Sequence, residues 1–196
     1  MSRVWLYSSD GEVEEALRAR FSARGLEVSR HDPGDEGGDA IVAGMRGSVG
    51  VIVDVSLEVL VAAGGDGRGE GVSLVREIME GAIACGVVKV VWLLSASNAR
   101  GEQGGFDEET FYLPRRGGEE RAEVSWVMEC EVMRYVRHGV GVAHPVIGLC
   151  EEGLASEERA RGARLMLERG KPGRRYVLSS ASSGAKSERS SGEIGW

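Results

Sequence analysis

The chain has 196 residues, 42% hydrophobic, 28% charged and 6% aromatic, with a formal net charge of -7. That is enough chain for one domain with its own core, and the acidic balance excludes general binding to nucleic acid or anionic membranes, which takes a basic surface. Glycine is the outlier, at 30 residues or about 15% against an ordinary value of about 7%, and only 4 prolines accompany it, which excludes collagen and proline-rich linkers.

Arg3 to Tyr7 (RVWLY) reads as a buried strand, closed by the turn-prone Ser8-Ser9-Asp10-Gly11. Val13 to Arg24 then sets Val13, Leu17 and Phe21 at four-residue steps, the stripe of an amphipathic helix, with Gly25 where a helix C-cap belongs. Leu26 to Arg30 begins a second strand, which ends at His31-Asp32-Pro33-Gly34, a strong turn signal. Val49 to Val55 (VGVIVDV) is a β-branched third strand, followed by a glycine-rich connector over 64–71.

A helix from about Val72 to Cys85 leads into Val87 to Leu94 (VVKVVWLL), the most strand-like run in the chain, with Trp92 in the core. A further helix is expected over about 119–137, a short strand over Val140 to Ile147, and a charged helix over 154–169. Continuously apolar strands alternating with helices imply a parallel sheet covered on both faces. The expectation is a doubly wound, Rossmann-like α/β domain over residues 1–178, with a disordered Ser/Gly-rich tail over 179–196.

Three cysteines, Cys85, Cys130 and Cys150, form no CxxC motif and are odd in number, so free, inert thiols in a reducing compartment are expected. His31, His138 and His144 do not have metal-ligand spacing, so no metal site is expected. No apolar run approaches the roughly 18 residues of a membrane span, and the opening MSRVWLYSSDGE lacks the apolar core of a secretory signal. A cytoplasmic protein is the expectation.

In a doubly wound fold the first strand-to-helix turn is where a pyrophosphate is held, and glycines there allow the tight bend and the close approach of backbone to phosphate. The stretch WLYSSDGEVEEALRARFSARGLEV has that setting, and Asp32 follows at the distance from which an acidic side chain holds a ribose hydroxyl. Ser8, Ser9, Asp10, Gly11, Arg30 and Asp32 are therefore the candidate cofactor contacts. The plainer reading of Ser8 to Gly11 is a turn and N-cap, and of Asp32 a turn initiator before Pro33.

This segment resembles the short-chain dehydrogenase/reductase superfamily, in its extended or atypical branch of NAD-dependent epimerase/dehydratase-like and NmrA-like proteins. Aligned back from Gly25-Leu26-Glu27-Val28, the family's three glycine positions fall on Ser8, Gly11 and Glu14, so one glycine of three is kept. "EIMEGAIACGVVKVVWLLSASNARGEQ" resembles the family's fourth helix and strand with its active-site serine, "GGFDEETFYLP" its acidic loop, and "RYVRHGVGVAHPVIGLC" its Arg-Pro strand, with His144-Pro145 on the pair. The likeness spans about residues 3–150.

The resemblance implies NAD or NADP as cofactor and hydride transfer to a small carbonyl or sugar-nucleotide substrate. In that chemistry a serine polarises the substrate oxygen, a tyrosine is the acid/base and a nearby cation lowers the phenol pKa from about 10. Ser95 and Ser97 stand where the serine belongs. The Tyr-xxx-Lys pair falls either on Glu123 and Val127, which have no such chemistry, or on Tyr112 and Arg116. Two other readings stand beside this one: an inactive Rossmann-fold relative that serves as a binding or scaffold subunit, and a TIR-like NAD-cleaving or signalling domain with Glu77 or Glu80 as its acid. A small-molecule substrate or a protein partner, including a second copy in a homodimer, is compatible with each.

Overall fold

The computed structural model describes residues 2–31, 38–55, 67–96, 120–137 and 143–180. Six strands are present among them: β1 (Ser2–Ser8), β2 (Leu26–His31), β3 (Ser48–Asp54), β4 (Lys89–Ser95), β5 (His144–Cys150) and β6 (Arg175–Leu178). The helices are α1 (Gly11–Ser22), α2 (Gly38–Met45), α3 (Arg68–Ala84), α4 (Glu120–Arg137) and α5 (Ser156–Arg169). The strands form one parallel sheet in the order β2-β1-β3-β4-β5-β6. The Rossmann-like α/β architecture read from the pattern of runs is the observed one.

The central strands are apolar on both faces because each face carries helices. Along β1, Trp5 and Tyr7 face a core built with Ile41 and Met45 of α2, Leu74, Ile78 and Met79 of α3, and Val124 and Met128 of α4. Val4 and Leu6 face the opposite core, with Val13, Leu17 and Phe21 of α1 and Ala160, Ala163 and Met166 of α5. Full burial of side chains such as Phe21, Ile52 and Ile147 contributes about 1.5–3 kcal/mol each.

Several boundaries differ from the sequence reading. The helix expected from Val72 starts at Arg68, so Gly69 and Gly71 lie inside α3 and not in a connector. Gly71 is needed by packing there, since a Cβ on it would lie 2.8 Å from Met128 Cγ of α4. The strand expected over Val140 to Ile147 is β5, which runs through Cys150, with Gly148 pressed against Met166 of α5. α2 and β6 correspond to no expected element. α2 is short and carries Ile41, Val42 and Gly44, residues of modest helix propensity; tertiary packing on Trp5 decides its conformation. Of the expected tail, 181–196 lie outside the described residues.

Cys85, Cys130 and Cys150 are free thiols. Among the described residues no helix is long and apolar enough to cross a membrane, and no group of His, Cys, Asp or Glu is arranged to hold a metal ion.

Candidate functional site

The strand order reverses beside β1: the chain steps to β2 on one side and crosses to β3 on the other. In open parallel sheets this switch point, at the carboxyl ends of the strands, is where ligands bind. Here it joins the turn after β1 to the end of β3, where Ser8 and Asp54 are register partners.

The turn is built from its own polar side chains. Ser8 is fully buried; its hydroxyl accepts from the Asp10 amide at 2.9 Å and donates to the Asp10 carbonyl at 3.3 Å. Asp10 caps α1, with Oδ1 accepting from the amides of Glu12 at 2.8 Å and Val13 at 3.3 Å. These amides are among the donors a helix N-terminus offers to an anion.

The other oxygen of Asp10 faces α5. Ser156 Oγ donates to Asp10 Oδ2 at 3.1 Å, and so does Arg159 Nη2. Arg159 Nη1 also donates to both carboxylate oxygens of Asp54, each at 3.0 Å. One guanidinium thus bridges two carboxylates from β3 and the β1–α1 turn. Burial pushes the Asp54 carboxyl up and the Asp10 charge adds to that push, against the pull of Arg159. Asp10 goes the other way: burial acts to raise it, but the Glu12 amide, Ser156, the Val13 amide and Arg159 together hold it below the usual carboxylate range.

Beside this triad lies an open cleft of about 390 Å³ lined by Ser9, Asp10, Asp54, Cys150, Glu151 and Arg159, with Gly153 and Leu154 at its wall. Among its described lining residues the balance is three carboxylates to one guanidinium. Burial and then the nearby Asp54 charge push the Cys150 thiol up, so it is held as a thiol and not as a nucleophilic thiolate.

Arg30, at the end of β2, donates through Nε to the Ser8 carbonyl at 2.9 Å and pairs with Glu14 at 3.4 Å. Glu14 also pairs with Arg18 at 2.7 Å, so its carboxylate is directed to the helix surface and to the end of β2. The packing of α1 on the sheet is supplied instead by Val13, Ala16, Leu17 and Phe21. Among the described residues, a Cβ on Gly11 would meet only Arg30 Nη1, at 3.8 Å.

Ser8, Ser9, Asp10, Gly11 and Arg30 are thus gathered around one turn, two of them in the cleft wall. Ser95 ends β4, where its carbonyl accepts from Ser125 Oγ at 3.4 Å; it does not line the cleft. Ser97, Tyr112, Arg116 and Asp32 lie outside the described residues. Glu123 of α4 pairs with Arg68 of α3, and Val127 lies on the same helix. Glu77 and Glu80 are exposed on α3 and line no part of the cleft. Asp54, Glu151 and Arg159 are cleft residues that the sequence pattern does not single out, and Cys150, expected as an inert thiol, stands in the cleft wall. Asp54 did leave a signal, as a charged residue ending the otherwise apolar run VGVIVD.

No family model and no curated protein sequence matches the chain. Solved structures do. A nucleoside-diphosphate-sugar epimerase from Pseudomonas aeruginosa is similar at 16% identity and a TM-score of 0.70, covering 90% of this chain and 72% of its own. A UDP-N-acetylglucosamine 4-epimerase from Bacillus cereus is similar at 8% identity and a TM-score of 0.71, over 92% of this chain and 79% of that one. A dTDP-glucose 4,6-dehydratase from Streptomyces venezuelae, solved with NAD bound, is similar at 12% identity and a TM-score of 0.67, over 90% and 75%. At these identities the likeness is one of fold.

Proposed function

We propose that the chain is a compact oxidoreductase-type domain that binds NAD(P) at the switch-point cleft and acts on a small carbonyl or sugar-nucleotide substrate. The observation that carries this reading is the open cleft directly over the β1–α1 turn, at the place where doubly wound sheets take a dinucleotide. Similarity of fold to epimerases and to a dehydratase solved with NAD supports it.

Space for the cofactor is supported by the turn itself, where, among the described residues, only the tip of Arg30 comes near a Cβ placed on Gly11. The residues that would hold it are the Glu12 and Val13 amides and Arg159 for the pyrophosphate, with Arg30 and Asp32 toward the adenosine ribose. Asp32 favours a free ribose hydroxyl and Arg30 a 2′-phosphate. NAD(P) would supply the hydride transfer itself. On the substrate side, Ser95 or Ser97 would polarise the reacting oxygen, Tyr112 would move the proton, and the Arg116 cation would lower the phenol pKa toward working pH.

Titration of the protein with NADH and NADPH, followed through cofactor fluorescence, tests the reading; saturable binding is expected, and none at millimolar cofactor sinks it. Loss of turnover with binding intact in Tyr112→Phe is the expected signature of the tyrosine's role. A second reading, an inactive relative retained as a binding or scaffold subunit, is favoured by one observation: the Asp10 carboxylate already uses the amides a pyrophosphate would need. A folded protein that binds neither NADH nor NADPH and turns over no carbonyl substrate would support that second reading.

A further inference from the structure

The amides of Glu12 and Val13 form the anion seat of the β1–α1 turn, and the chain fills that seat with its own carboxylate. The side chain is held from both ends. Oδ1 sits on the helix amides, while Oδ2 is gripped by Ser156 and Arg159 of α5. Arg159 is itself fixed by its two bonds to buried Asp54. Glu12, which accepts from Ser156 Oγ at 3.2 Å, stands beside the seat, and the cleft adds Glu151. An incoming diphosphate would therefore meet an anion on its seat and further anions beside it, although among the described residues only Arg30 Nη1 comes within 4 Å of a Cβ placed on Gly11.

From this we infer that Asp10 is an internal competitor for the anionic portion of the dinucleotide: it has to leave the Glu12 and Val13 amides before a pyrophosphate takes them. The inference rests on the NAD(P)-binding reading for the identity of the ligand, and on the Asp10 contacts alone for the competition. Release of Asp10 has a second effect. Half of the Arg159 guanidinium becomes available, so one event empties the seat and frees a cation that faces it. Because Asp10 is one of the contacts between α1 and the start of α5, beside Glu12 with Ser156 and Arg20 with Glu157, dinucleotide binding and the α1–α5 contact are linked, and each weakens the other.

The test compares wild type with Asp10→Gly, which vacates the seat, and Asp10→Asn, which retains a capping oxygen without the charge. Each protein is titrated calorimetrically with NADH, NADPH and inorganic pyrophosphate, and its melting temperature is recorded with and without each. The expected result is affinity tightened about tenfold or more in Asp10→Gly, less in Asp10→Asn, with a larger ligand-induced rise in melting temperature for both. If wild type and variants bind the dinucleotide equally, the competition is overturned and the cofactor reading survives. If Asp10→Gly gains pyrophosphate binding but none of the proteins binds dinucleotide, the competition stands and the cofactor reading falls. If none of the three proteins binds either ligand, both are overturned. Asp10→Asn keeps the comparison decisive if Asp10→Gly fails to fold.

Discussion

Arg159 Nη2 donates to Asp10 Oδ2 across 149 residues of chain, and together with the Ser156 hydroxyl, which reaches Asp10 and Glu12, it holds the N-terminus of α5 against the N-terminus of α1. Arg20 of α1 pairs with Glu157 of α5 at 2.6 Å, and Arg24, just past the end of α1, with Glu168 of α5 at 2.7 Å. Each has one partner with a side chain more than half exposed, and such pairs contribute about 0–1 kcal/mol. The Arg159 bridge differs because Asp54, its other partner, is almost entirely buried. Removal of the guanidinium would leave two carboxylates facing each other with no cation between them.

Arg159→Met is therefore expected to lower stability by about 2–4 kcal/mol, within the range for breaking a partly buried ion pair. Urea denaturation at neutral pH measures it. The double variant Arg159→Met with Asp54→Asn should recover much of the loss, because it removes the charge left unpaired. A single-variant effect below about 0.5 kcal/mol would place the bridge among ordinary surface pairs.

The pH dependence separates the two carboxylates by sign. Asp10 is held below its ordinary value, so it contributes stability above that value and loses it as pH falls through the depressed one. Asp54 and Glu129 are both raised by burial, which Arg159 and Arg175 respectively oppose. Their ionisation costs stability in the folded state, and that cost is relieved as pH falls through their raised values. Stability should thus stay level or rise slightly from neutral pH into mild acid before it collapses. Asp54→Asn and Glu129→Gln should each flatten the rise, as followed by denaturant midpoints across a pH series.

The layered α/β architecture was legible because it depends on apolar runs that need no knowledge of distant residues. RVWLY, VGVIVD and KVVWLLS are buried strands under any arrangement of their neighbours. The turn after β1 was legible for the same reason, since Ser8, Asp10 and the α1 amides lie within a few residues of one another. Arg159 was not. In the string SEERARGARLMLER it is one arginine among four, and nothing local distinguishes the one that reaches Asp10 and Asp54. Glycine shows the same division: Gly25, with φ +70°, follows from its place after a helix, whereas Gly71 and Gly148 exist for side chains on other elements.

Glu129 of α4 and Arg175 of β6 form a second buried pair, 2.5 Å apart and both under 10% exposed. Arg175→Met strands a carboxylate in the core, with an expected loss of about 3–5 kcal/mol. Glu129→Leu combined with Arg175→Met should fold with stability near that of wild type, because apolar packing replaces a pair whose desolvation offsets its attraction. A double variant no more stable than Arg175→Met would instead assign the pair a structural role that apolar side chains cannot fill. Denaturant unfolding of the three proteins decides the matter.

Gly148 lies in the middle of β5, under α5. A Cβ there would stand 2.5 Å from Met166 Cε and 3.0 Å from Leu93 Cδ2, both inside the packed core. Gly148→Ala should therefore destabilise by about 1–3 kcal/mol, the usual range for overpacking. The strain falls on a flexible side chain from α5, so shortening that side chain should relieve it. Gly148→Ala with Met166→Val is expected to be more stable than Gly148→Ala alone, whereas Met166→Val in the wild-type background should cost stability by opening a void. This reversal of sign, read from denaturant midpoints, is specific to direct contact between the two positions. If the two effects simply add, the close approach of α5 to β5 at Gly148 is not what limits residue size there.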